Sequence, residues 1–124
     1  VKGTPFERWG GERFFVDLVD RFYDGVASDP VLRPLYPDDL TDSREHLTWF
    51  LIQYWGGPPV YRDERGHPRL RMRHAHFTIG EAEAEAWLTH MRAAVDASGL
   101  DADGRVELLD YLTAAAHSLV NAPG

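Results

Sequence analysis

The chain has 124 residues, 44% hydrophobic and 27% charged, enough to bury one core. It contains no cysteine, which excludes disulfides, iron–sulfur centres, cysteine-ligated zinc and thiolate nucleophiles. A formal net charge of −7 argues against nucleic-acid binding, which draws its affinity from Lys and Arg on phosphates, and no apolar run is long enough for stable membrane insertion.

The opening VKGTPFERWGG lacks the basic-then-apolar order of a secretory signal, so the expected location is cytoplasmic. Phe15, Leu18, Val19, Phe22 and Val26 recur at helical spacing, with Tyr23 beside them, and Asp29-Pro30 ends that helix. A turn follows through VLRPLYP, carrying Tyr36. Asp42 and Glu45 read as a variant capping box, opening a helix with Leu47, Phe50, Leu51 and Tyr54 on one face. Trp55-Gly56-Gly57-Pro58-Pro59 breaks it, and the polar stretch up to Pro68 is expected to be loop. A short helical turn is expected over Leu70 to His74. Thr78 and Glu81 suggest a second capping box ahead of a helix facing inward through Trp87, Met91, Ala94 and Val95 and stopping near Gly99. A last helix over about Ala102 to Val120 turns Leu108, Leu109, Leu112, Ala116 and Leu119 inward. No stretch alternates long enough to be a strand. The expected architecture is all-α: four main helices and one long irregular loop, in a single domain over residues 1–124.

That loop leads into the densest chemistry. Six histidines are present: His46, His67, His74, His76, His90 and His117. His74 stands apart because it ends the run His67-Pro-Arg-Leu-Arg-Met-Arg-His74, just before Phe77. Leu70, Met72, His74 and Phe77 beside Arg71 and Arg73 suit haem, which is flat and apolar, carries anionic propionates and needs an imidazole nitrogen. The same run also suits a basic, solvated turn, and pattern alone does not separate the two. Tyr23, Tyr36 and Trp87 are equally open: each is good core material, and each carries one donor that wants a partner when buried.

Four blocks in order resemble the group II truncated haemoglobins over nearly the whole chain: FFVDLVDRFYDGVASDPVLRPLYP, FLIQYWGGPPVY, RGHPRLRMRHAHF and LLDYLTAAAHSLVN. The resemblance implies a truncated globin two-over-two helical sandwich enclosing haem b. By position it implies His74 as the iron ligand and Tyr23, Tyr36 and Trp87 as distal groups that stabilise the bound ligand. Leu47 matches an apolar distal position above the ring. Ser43 falls where many globins place a distal histidine, so ligand access past it should be open. His46 stands where some relatives carry an arginine facing a propionate. Arg73 and Tyr61 are then the remaining propionate candidates, and Phe50, Leu70 and Phe77 are further expected cofactor contacts.

On this resemblance the expected ligands are dioxygen, carbon monoxide, nitric oxide or peroxide. No histidine maps to the distal side as a sixth ligand, so five-coordinate ferrous iron is expected. Distal hydrogen bonds imply slow oxygen release, better suited to nitric oxide dioxygenase or weak peroxidase chemistry than to carriage. That chemistry requires an external reductant or reductase, since the chain carries no flavin or nicotinamide motif. The sequence leaves the oligomeric state open, with a homodimer among the expectations. The rival is a cofactor-free helical interaction or sensor domain, with the aromatics as core and the arginine run as a partner-binding edge.

Overall fold

The computed structural model describes residues 3–75 and 77–122, so His76 lies outside the described residues. Helix α1 (Pro5–Trp9), absent from the sequence expectation, begins with a reciprocal cap. The Thr4 hydroxyl accepts the Glu7 amide at 3.2 Å, and the Glu7 carboxylate accepts the Thr4 amide at 3.0 Å. Gly10 ends α1 and opens α2 at φ +119°, a geometry that side chains rarely permit.

Helix α2 (Gly11–Val26) buries Phe15, Leu18, Val19, Phe22, Tyr23 and Val26, the face expected from the spacing. Beyond it, Asp29 Oδ1 accepts the amides of Val31 and Leu32 at 2.7 and 3.1 Å. A short 3-10 turn (Arg33–Leu35) then delivers Tyr36. The Arg33 guanidinium wraps this corner, donating to the carbonyls of Tyr36, Pro37 and Asp38 at 3.3, 2.9 and 2.7 Å.

Helix α3 (Thr41–Tyr54) starts one residue ahead of Asp42, so the expected Asp42–Glu45 box does not form. Asp39 instead accepts the Thr41 amide at 2.9 Å, and Asp42 sits in the first turn, where a carboxylate suits the positive end of the helix. The expected loop from 60 to 68 is also corrected: Val60–Arg65 forms α4. Pro58 and Pro59 break α3 yet favour a new helix start, because the first helical amides have no intrahelical partner to lose. Gly66, at φ +78°, closes α4.

Helix α5 (Leu70–His74) matches its expectation. Helix α6 (Glu81–Asp96) begins too late for a Thr78–Glu81 box; the Gly80 amide donates to the Glu83 carboxylate at 2.7 Å. Helix α7 (Ala102–Ser118) is capped by Asp101, which accepts the Gly104 amide at 2.8 Å.

No strand occurs among the described residues. Helix α2 packs on α3 and α6, and α6 packs on α7, giving the two-over-two sandwich. Phe15, Leu18, Phe22, Met91, Leu108 and Leu112 interlock between the pairs. Each large apolar side chain buried this way contributes about 1.5–3 kcal/mol. No helix among the described residues is long and apolar enough to cross a membrane.

Candidate functional site

The helices enclose a cavity of about 330 Å³. Its wall includes Tyr23, Tyr36, Ser43, His46, Leu47, Phe50, Tyr61, Leu70, Arg73, His74, Phe77 and Trp87, whereas Arg71 and the exposed Met72 of the arginine run lie outside it. Residues more than sixty positions apart in the chain are thus brought to one space.

His74 ends α5 and is held at one ring nitrogen. Its Nδ1 lies 2.7 Å from the Leu70 carbonyl, one turn earlier, which places the proton on Nδ1 and leaves Nε2 with a lone pair. The surrounding backbone is tied down from the chain's far end. The Asn121 amide donates to the carbonyls of His74 and Phe77 at 3.3 and 2.9 Å, and its oxygen accepts the Ile79 amide at 2.9 Å. Arg71 adds a bond to the Ser118 carbonyl at 3.2 Å.

Tyr23, Tyr36 and Trp87 form one cluster. The rings of Tyr23 and Tyr36 meet edge to face at 5.6 Å, while Trp87 packs against Phe22 at 5.2 Å. The Tyr36 phenol lies beside the Tyr23 hydroxyl and the Trp87 indole. Burial raises the Tyr36 pKa to about 12 despite those two neighbours, which lower it. Burial also raises Tyr23, assisted by its neighbour Tyr36. Both phenols therefore stay protonated far above neutrality and serve as donors rather than bases. The Tyr23 hydroxyl donates to the Ser43 carbonyl at 3.4 Å, which brings Ser43 to this cluster.

A third group is cationic. Arg65 Nη1 lies 3.1 Å from His46 Nε2. Burial lowers the pKa of His46, and the Arg65 charge lowers it further, so the imidazole is neutral and accepts from Arg65. The guanidinium groups of Arg65 and Arg73 both lie over the Tyr61 ring, at 5.7 and 5.9 Å. Arg73 folds back on the loop, donating to the carbonyls of Pro68, Arg65 and His67 at 2.7, 2.9 and 3.4 Å. Arg65 Nε is buried without a hydrogen-bond partner. A buried cationic donor at a cavity wall calls for an anion. Sequence reasoning missed Arg65 because it lay in the expected loop; its spacing from Tyr61, one helical turn, was the available signal.

These features fit haem. Leu47, Phe50, Leu70 and Phe77 give the cavity apolar walls, His74 offers an imidazole nitrogen, and the orphaned Arg65 Nε awaits an acidic edge.

A family model described as Bacterial-like globin matches residues 4–121. The Group 2 truncated hemoglobin YjbI of Bacillus subtilis (strain 168) is 46% identical over 118 residues, covering 95% of this chain and 89% of that protein. The thermostable hemoglobin of the actinobacterium Thermobifida fusca superposes with a TM-score of 0.96 at 54% identity, covering 98% of this chain and 100% of that one. The group II truncated hemoglobin of Bacillus anthracis gives a TM-score of 0.95 at 44% identity, over 98% and 94% of the two chains. The chain belongs to the bacterial-like globins, within their group II truncated haemoglobins, a membership that implies ligand binding at haem.

Proposed function

We propose that residues 1–124 act as one cytoplasmic haem b domain that binds dioxygen, carbon monoxide and nitric oxide at five-coordinate iron, with slow dioxygen release. Its role in this reading is redox detoxification of nitric oxide or peroxide. The observation that carries the reading is one cavity shared by the Nδ1-anchored His74 and a cluster of three polar donors, Tyr23 buried and Tyr36 and Trp87 partly so. Haem, when bound, supplies the iron that takes the gas ligand and the electrons for its chemistry.

The chain's own residues do the rest. His74 presents Nε2 for ligation. Arg65 receives a propionate, with Tyr61 and His46 packed around it. The Tyr23 hydroxyl is turned to the Ser43 carbonyl, which leaves the Tyr36 hydroxyl and the neighbouring Trp87 indole as the two donors to a ligand. A hydrogen bond to a charged acceptor contributes about 1.5–3 kcal/mol. Two such bonds slow dioxygen release by roughly 10²–10⁴-fold. Peroxide turnover is secondary in this reading, because the two tyrosines are poor bases and the His46 Nε2 lone pair is occupied by Arg65. An external reductant or reductase restores the ferrous state.

The test is haemin titration of the purified protein, followed by absorption, alongside His74→Ala. One equivalent should give a strong Soret band that collapses or shifts in the variant. Absence of stoichiometric binding by the intact protein would overturn the reading in favour of a cofactor-free helical interaction domain.

A further inference from the structure

His90 and Asp29 lie outside the cavity wall, yet they join the two elements that carry Tyr36 and Trp87. His90 sits on α6 three residues beyond Trp87, close to one turn along the same helix. Its Nε2 donates to Asp29 Oδ2 at 2.6 Å, and both side chains are largely shielded, at 25% and 15% exposure. The other oxygen of Asp29 accepts the Val31 and Leu32 amides that start the corner leading to Tyr36. The Asp29 carbonyl also accepts the Arg33 amide at 2.8 Å, and Arg33 in turn grips the Tyr36 carbonyl. One carboxylate therefore bonds the corner with one oxygen and α6 with the other.

The approach of His90 is possible because residue 25 is glycine. A Cβ at Gly25 would lie 2.8 Å from His90 Cγ, inside the ring's contact surface. The ring consequently rests directly on the α2 backbone two residues after Tyr23, so all three elements of the polar cluster meet at this pair.

We propose that Asp29 and His90 are positioning residues, setting the distance between the Tyr36 hydroxyl and the Trp87 indole and thereby the strength of hydrogen bonding to a ligand. This rests on the haem reading. Neither residue touches the ligand; the pair acts through the rigid corner and one turn of α6. Without the link, the corner loses a polar tie to α6, and the Trp87 indole shifts relative to the Tyr36 hydroxyl.

The experiment uses the haem-loaded protein with carbon monoxide as probe, because a donor beside the ligand lowers its stretching frequency. Trp87→Phe sets the shift for loss of the indole donor. His90→Ala should move the C–O band upward in the same direction, with dioxygen release accelerated up to roughly tenfold. Gly25→Ala should reproduce the shift with the histidine still present. Alanine favours helix at that position, so α2 keeps its fold. His90→Gln, whose amide can still donate to Asp29, should restore the band. An unchanged band in both His90→Ala and Gly25→Ala, with helicity intact, would overturn the proposal; so would a shift that His90→Gln fails to reverse, since ring packing would then be responsible. Absence of any C–O band in the unmodified protein would sink the haem reading itself.

Discussion

The two sides of the cavity are built differently. The distal side, made by α2, the corner and α6, is a continuous apolar mass: Phe22, Val26 and Met91 are fully buried beneath Tyr23 and Trp87. The proximal segment is short and surface-bound. Helix α5 has no buried residue, and Met72 beside His74 is 64% exposed. Arginine and asparagine side chains reaching backbone carbonyls hold it in place, rather than apolar contact. Segments with few buried apolar contacts open first. In the proposed haem reading, the side that would tune the ligand is thus prebuilt, while the side that would supply the iron ligand would gain stability from the cofactor itself.

The largest expected effect breaks the distal side. Phe22→Ala removes a fully buried ring that packs on both Tyr23 and Trp87, and should cost about 3–5 kcal/mol in the apoprotein by denaturant unfolding. A loss below about 1 kcal/mol would mean that the distal wall is no better packed than the proximal one. Next comes Arg65→Met, which separates stability from function. It removes the unpartnered Nε together with the Nη1 bond to His46, so the apoprotein should change by no more than about 1 kcal/mol. Haem affinity should nevertheless fall by roughly 10–100-fold, the loss of one charge-assisted bond. A variant that destabilises the apoprotein and leaves haem affinity unchanged would assign Arg65 to the fold alone.

A smaller effect is set by alkaline pH. The folded-state pKa of Tyr36, about 12, lies above its ordinary value of 10.0, so the protonated phenol is favoured by folding. That stabilisation is fully present below about pH 10 and is lost as pH rises toward about 12. The melting temperature should therefore decline over that window, and Tyr36→Phe should remove only part of the decline, because burial raises Tyr111 to about 12 and Tyr23 as well. The proximal segment contains no comparably shifted phenol, so haem-free His74→Ala should decline as the unmodified chain does.

The distal side was also the more legible in the sequence. Phe15, Leu18, Val19, Phe22 and Val26 announce their face by spacing, because burial on a helix repeats every 3.6 residues. Spacing places Tyr23 and Trp87 on inner faces but does not bring them together; only packing of α2 on α6 does that. The helix α4 was hidden because its six residues are too few to show a period, and its start looks like a break. Arg65 was hidden with it. The expected caps at Asp42 and Thr78 failed for a related reason: a helix can start a residue or two either side of a good signal when tertiary packing fixes its register. Asp29 was read as the end of a helix, which it is; its bond to His90, sixty-one residues away, leaves no local mark.

The smallest effect concerns the hinge before His74. Arg69 caps α5 at φ +44°, ψ +53°, where its Cβ crowds the backbone at a cost of about 1–2 kcal/mol. Glycine relieves that crowding but adds about 0.5–1 kcal/mol of unfolded-state entropy. Arg69→Gly should therefore raise apoprotein stability by at most about 1.5 kcal/mol. It should also loosen the loop that Arg73 ties through the Pro68 carbonyl, so haem should dissociate faster even as the fold becomes no weaker. Arg69→Asn, which tolerates the left-handed region without glycine's freedom, should keep the slow dissociation. If both variants release haem at the unmodified rate, the proximal segment is as rigid as the distal wall, and the contrast between the two sides lies in their contacts but not in their stability.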